Sequence, residues 1–143
     1  MEMRKVDFLL VRAGFILFTI ALLTGFAIPA FLNPRMAVAG HLGAILNALL
    51  LIVLGLTWGF LAFGPLQAKL TRFAFLFGGY ASWGVSCLAA AWGTSRATPL
   101  ASTGFSAAPW KEGLVQGIQV AIVLVILAGA LSVLYALRSN ANR

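Results

Sequence analysis

Long apolar stretches dominate this chain, and charged residues stand only between them. Four charge-free windows can be marked off: Ala13–Pro34, Met36–Ala68, Phe73–Ser95 and Gly113–Leu137. A helix needs about 20 predominantly apolar residues to cross the hydrocarbon core of a bilayer. Each window therefore predicts one membrane span, placed at 10–32, 36–64, 70–93 and 110–138. The second window exceeds what one span requires, so it must tilt or include part of its connections. Asn33-Pro34 and Gly64-Pro65 mark the first two turns, because proline disfavours helix at the residue before it. The third connection, Gly93 to Pro109, is rich in Ser, Thr, Gly and Ala. Loops of that length usually have a purpose, and this one is expected to fold over a site as a lid. The pattern predicts an all-α integral membrane protein, a four-helix transmembrane bundle formed by residues 1–143 as a single membrane domain.

Composition supports this class. Hydrophobic residues make up 62% of the chain and charged ones 9%, against about 45–50% and about 25% in soluble domains. The first window is too long for a cleaved signal segment, whose apolar region spans roughly 7–15 residues. The net charge of +7 does not form a nucleic-acid patch, because the basic residues are spread between the apolar runs. They read instead as topology determinants and anchors to lipid headgroups. Arg4, Lys5, Arg12, Lys69, Arg72, Arg138 and Arg143 fall on one side, and Arg35, Arg96 and Lys111 on the other. That excess places both termini in the cytoplasm. A single cysteine, Cys87, excludes an internal disulfide and reads as a small buried apolar group.

Several small residues look like packing signals. Gly55 and Gly59 form a G-x-x-x-G pair that invites close helix approach. Tyr80, Trp83 and Cys87 share one face of the third span. Gly78, Gly79 and Gly84 are expected to leave backbone uncovered near that face, a surface for a flat ligand or for a neighbouring helix. Four spans give a narrow bundle, so oligomerisation is a natural way to create a buried site.

The chemistry narrows quickly. The acids Glu2, Asp7 and Glu112 all lie at predicted membrane edges, so no carboxylate pair is available for acid–base work in the bundle. A histidine-assisted serine would lack an acid to orient its base. One histidine and one cysteine fall short of a zinc site or a non-haem iron triad. His41 and Asn47 are left as the most demanding polar groups between Met36 and Ala68, and an ionisable group at membrane depth is a functional candidate by default. A lone histidine can serve as the axial ligand of a haem, because the porphyrin supplies the other four nitrogens. A structural hydrogen bond to a carbonyl is the plainer alternative. Met36 is a second ligand on paper only, being five residues from His41 on another part of the helix surface. Asn47 follows His41 by six residues, which turns it about 120° away with a rise of about 9 Å. The two side chains meet at one small ligand only if a large cofactor lies across a subunit boundary.

The run from Leu22 to Leu51, with His41, Gly43, Leu46 and Asn47 in a His-x-Gly-x-x-Leu-Asn pattern, resembles the hydroxylaminobenzene mutase family and the related styrene oxide isomerases. The stretch from Tyr80 to Gly104, with its aromatic start, Trp-Gly and Pro-Leu-Ala, is also similar to the mutases, and the likeness runs from Leu22 to Arg138. The resemblance implies a small four-span bacterial inner-membrane isomerase. It implies haem b ligated through iron by His41 near a subunit interface, a homotrimer, and substrate contact by Asn47. It further implies a Lewis-acid role for ferric iron, on styrene oxide to give phenylacetaldehyde or on hydroxylaminobenzene to give 2-aminophenol. The isomerases carry an Asp and a Tyr in the third span where this chain, aligned on Tyr80, has Gly78 and Ser86; Ala48 replaces a glycine. Those departures favour the mutase branch and an aryl hydroxylamine as the small aromatic substrate. Asn47 and Tyr80 are then the expected catalytic residues, with Trp83 and Ser86 joining them around the substrate. Aryl epoxide isomerisation, a cytochrome b-like electron-transfer or anchor subunit, and a cofactor-free transporter or structural bundle are the competing readings.

Overall fold

A computed structural model describes residues 5–141, with side chains to position 138. Arg4, Arg143 and Glu2 lie outside the described residues. Four helices follow one another: α1 (Phe8–Ala27), α2 (Pro34–Thr57), α3 (Pro65–Trp92) and α4 (Pro109–Ala141). Short 3₁₀ turns, Ile28–Ala30 and Trp58–Phe60, extend the first two. All four are long and apolar enough to cross a membrane, and no strand occurs among the described residues. The overlong second window is thus one helix plus its 3₁₀ extension and the turn into α3.

Local chemistry sets the boundaries. Asp7 caps α1 by accepting from the Leu9 and Leu10 amides, and Asn33 caps α2 by accepting from the Met36 amide. Pro34, Pro65 and Pro109 each open a helix, where a missing N–H costs nothing. Gly93 ends α3 in the left-handed region at φ 64°, a conformation glycine adopts without strain.

The helices α1, α2 and α3 pack around one another, while α4 packs chiefly on α3. Lipid is as apolar as a leucine core, so close helix contact in a membrane rests on small residues and hydrogen bonds. A Cβ on Gly14 would stand 2.8 Å from the Ala48 carbonyl oxygen, and one on Gly55 would stand 2.9 Å from the Asp7 oxygen and Val11 nitrogen. Gly55 thus does what the G-x-x-x-G reading asked of it, whereas Gly59 lies beyond the end of α2 in the 3₁₀ turn. Between α3 and α4 the contact is Ala74 against Gly129, together with a polar cluster. There Gln67 donates to the Ser132 carbonyl and hydroxyl, and Thr71 and Ser132 share a hydrogen bond of 2.6 Å.

Polar residues lock both ends. At one end Asp7 joins three helices: its amide donates to the Gly55 carbonyl, and its carboxylate accepts from Arg72 at 2.6 Å. At the other, fully buried Asn33 takes the Ala90 carbonyl through its amide and donates from its side chain to the Ala101 carbonyl and Ser102 hydroxyl. Glu112 accepts from the Ser95, Arg96 and Ala107 amides and so ties both ends of the α3–α4 connection. Arg35 adds a bond to the Thr103 carbonyl. The connection expected to act as a lid is therefore a pinned cap over the N-terminal end of α2, with Thr94 and Ser102 buried. The Thr98, Ser102 and Thr103 hydroxyls find their partners within the fold. Lys111 beside Trp92 and Trp110 marks the same end with an aromatic anchor.

Candidate functional site

His41 stands two turns into α2, on the flank that faces α1. Its Nδ1 lies 2.8 Å from the Ala21 carbonyl oxygen. A carbonyl can only accept, so Nδ1 carries the proton and donates it. The lone pair is then left at Nε2, which makes no hydrogen bond among the described residues. The ring lies over Gly25, where a Cβ would stand 3.0 Å from the imidazole Cε1 and 3.2 Å from Nδ1. Thr24 adjoins that glycine and is buried. Its hydroxyl donates to the Ile20 carbonyl at 2.9 Å and accepts the Trp83 indole N–H at 3.0 Å. Ser86 of α3 meets Gly40, the residue before His41, with a separation of 2.8 Å for a Cβ placed on that glycine.

Asn47 occupies the opposite flank. Its Cβ lies against Gly79 of α3, beside Leu17 and Leu51. The buried stripe of α2, Gly40, Ala44, Ala48 and Leu51, runs between the two flanks, as the six-residue spacing requires. The Asn47 carboxamide makes no hydrogen bond among the described residues, although it sits mid-helix at membrane depth. A polar group in that position needs a partner, and the described residues of this chain do not supply one.

The remaining expected site residues divide between the levels. Tyr80 lies beside Gly79 but turns towards α1, where its hydroxyl donates to the Ala13 carbonyl at 2.8 Å. Ala13 and Ala21 are eight residues apart on α1, about 12 Å along the axis, so the Tyr80 hydroxyl and the His41 imidazole do not meet on one small molecule. Tyr80 instead floors a groove of about 670 Å³ between α1 and α3, with Phe8, Arg12, Ile16 and Leu76. Trp83 is committed to Thr24 through its only polar atom. That bond joins α3 to α1.

Met36 is buried, with its sulfur accepting from the Thr98 hydroxyl at 3.4 Å. It belongs to the cluster around Val85 and Ala89, not to the imidazole. Gly78 and Gly79 are covered, by Ile126 of α4 and by Leu17, Leu51 and Asn47 respectively, which leaves Gly84 as the open one of the three. The bare backbone expected near Tyr80 and Trp83 is thus reduced to Gly84. Position 78 faces α4, away from both His41 and Asn47. Cys87 is partly buried and free.

Among the described residues no three His, Cys, Asp or Glu side chains come together as a metal cage. A single imidazole with a free Nε2 matches the donor set of a group that brings its own equatorial ligands. An Nδ1–H bonded to a backbone carbonyl is the usual outer partner of a ligating histidine, fixing its tautomer and raising its basicity. Sequence reasoning missed this partner turn, Ile20–Gly25. A Thr-Gly pair inside an apolar run was the available signal, but nothing in the sequence said which helix would face it.

The styrene oxide isomerase family model matches residues 7–138. Two relatives from Ectopseudomonas oleovorans are similar over most of their length. Hydroxylaminobenzene mutase HabB is 36% identical over 136 residues, covering 94% of this chain and 82% of the relative. Hydroxylaminobenzene mutase HabA is 34% identical over 126 residues, covering 87% and 93%. No solved structure matches the chain.

Proposed function

The chain belongs to the styrene oxide isomerase family and is a membrane isomerase like its mutase relatives; from that premise we propose that it rearranges aryl hydroxylamines to aminophenols at a haem b held by His41. The observation that carries the reading is the imidazole's geometry. Nδ1–H is spent on the Ala21 carbonyl, and the Nε2 lone pair is left unspent. Bound there, ferric haem would supply a Lewis acid towards the hydroxylamine oxygen. The reaction exchanges an N–O bond for a C–O bond, and a ring proton leaves as the amine is restored. Substrate and product are isomers, and no external oxidant or reductant enters.

The chain's own residues do the rest. His41 fixes position and orientation through α1, and hydrogen bonding at Nδ1 keeps Nε2 electron-rich. Asn47 supports the reading as a carboxamide without an intramolecular partner, able to accept the substrate's N–H or donate to its oxygen. Lipid-facing apolar walls keep water from a cation developing on the aromatic ring. Tyr80, its proton bound to Ala13, has only acceptor capacity to offer in the α1–α3 groove and would touch substrate there only at a haem held by the His41 of a second copy. Ser86, held against Gly40, is retained as a substrate neighbour on the same level as His41.

His41 and Asn47 stand on opposite flanks of α2. One ligand can therefore meet both kinds of residue only when a second copy contributes one of them. A homo-oligomer, trimeric as the family resemblance implies, is part of the proposal. So is an orientation in the bacterial inner membrane with both termini cytoplasmic. Epoxide-to-aldehyde isomerisation is the second reading, favoured by the family model that matches the chain.

Purified protein should show a Soret band and turn over hydroxylaminobenzene, and His41→Ala should remove both. Turnover surviving in His41→Ala would take haem out of the mechanism. Styrene oxide offered in parallel separates the two substrate readings by which compound is consumed.

A further inference from the structure

We infer that one turn of α1, Ile20–Gly25, is the positioning element for His41, with Gly25 as a notch for the ring and the Trp83–Thr24 hydrogen bond as the clamp that holds the turn in place. The inference deepens the proposed haem site and rests on that reading only for the identity of the ligand, because the tautomer it predicts belongs to the protein alone.

Two side chains from different helices grip this turn, one at the Ala21 carbonyl and one at the Thr24 hydroxyl. From α2, His41 Nδ1–H donates to Ala21. From α3, Trp83 donates to the Thr24 hydroxyl, which donates in turn to Ile20. In an α-helix those carbonyls already accept the N–H of residues four positions on, so each carries a second bond aimed outward from the axis. At bilayer depth a displaced partner finds no water to replace it. The register of α1 against both neighbours is consequently specified at this level by hydrogen bonds, not only by interchangeable apolar contacts.

Gly25 supplies the shape. With a Cβ at 3.0 Å from Cε1 and 3.2 Å from Nδ1, any larger residue would push the imidazole plane away from the helix and lengthen the bond to Ala21. The displaced atom would be part of a rigid ring, which cannot fold aside as a flexible chain end does. Loss of the Thr24 hydroxyl acts differently. It strands the Trp83 indole N–H, and α3 then no longer fixes the height of the turn.

Position and tautomer are therefore set together. A ring held at Ala21 is protonated at Nδ1, whereas a released imidazole reverts towards the Nε2–H form and presents a proton where the lone pair is needed. Thr24 and Gly25 are positioning residues, acting on the ligand only through His41.

His41 is the chain's single histidine, so ¹⁵N-histidine labelling gives one imidazole spectrum from the full protein in nanodiscs without added haem. The expected wild-type signal is an Nδ1–H tautomer. Gly25→Ala and Thr24→Val should shift population to Nε2–H, Thr24→Ser should restore the wild-type pattern, and Gly129→Ala, an equally tight α3–α4 glycine contact, should leave it unchanged. An Nε2–H tautomer in wild type, an unaltered spectrum in both Gly25→Ala and Thr24→Val, or an equal change in Gly129→Ala would each overturn the inference. Haemin titration of the same proteins separates the two claims, with affinity expected to fall about tenfold or more in Gly25→Ala, the usual scale for disturbing an outer partner. Should wild type bind haemin through His41 and both variants bind it equally well, the positioning role falls and the haem reading stands. Should wild type bind no haemin, the haem reading falls and the tautomer spectra alone decide the positioning role.

Discussion

Asn47 shows how a single side chain can be more informative than its surroundings. A carboxamide among Leu46, Ala48 and Leu49 costs free energy in hydrocarbon unless it is bonded, and the described residues of this chain offer it no hydrogen bond. Asn47→Leu, with the same branching and number of heavy atoms, should fold normally and bind haemin as wild type does while losing at least tenfold in turnover. Wild-type kcat/KM in that variant would remove Asn47 from the substrate's surroundings. Asp7 makes the complementary case of a polar residue spent on architecture. It caps α1 and pairs with Arg72, so Asp7→Ala should cost about 0.5–2 kcal/mol from the lost cap alone. A lower melting temperature in detergent with little change in the Soret band of folded protein is the expected signature.

At the scale of elements, the α3–α4 connection behaves as part of the framework. Glu112 gathers three backbone amides from its two ends, and Asn33 binds its middle. Each buried hydrogen bond left unmade costs about 1–3 kcal/mol. Glu112→Ala should therefore raise amide exchange at Ser95, Arg96 and Ala107 by tenfold or more, while the ends of the helices at Asp7 keep their protection. Protection unchanged at those three amides would show that other contacts hold the loop. The same scale separates α4 from the rest: it packs chiefly on α3, through Gly129, Ser132 and Ile126, and leaves a long apolar face outward.

For the whole molecule, the opposite placement of His41 and Asn47 yields a test of assembly. Co-expressing His41→Ala with Asn47→Leu should restore activity if each site takes one residue from each of two copies. Random mixing then leaves roughly a quarter of the sites with both residues intact, whatever the ring size. No recovery above the separate variants would place both residues at the same site within one chain, or at sites that do not cooperate. Orientation is checked just as directly. A fluorescent reporter fused after Arg143 should fold and fluoresce if the C-terminus is cytoplasmic, and an export-dependent phosphatase fused there should stay inactive.

Four helices were legible because apolar length and proline at the first turn are local rules, although α2 ends at Thr57 and α3 begins at Pro65, against spans of 36–64 and 70–93. The isolation of His41 and Asn47 could also be read directly, since two polar groups in a run without charge stand out against any apolar background. Their 120° separation followed from helix geometry alone. The identity of each neighbour did not. In a lipid-facing helix the outward side is as apolar as the inward one, so the sequence has no strong amphipathic period to say which face meets which partner. Only the tertiary structure decided that Gly25 and the Ala21 carbonyl receive the imidazole, that the Trp83 indole N–H is spent on Thr24, that Gly78 lies under α4, and that Asn47 is left without a hydrogen-bond partner among the described residues.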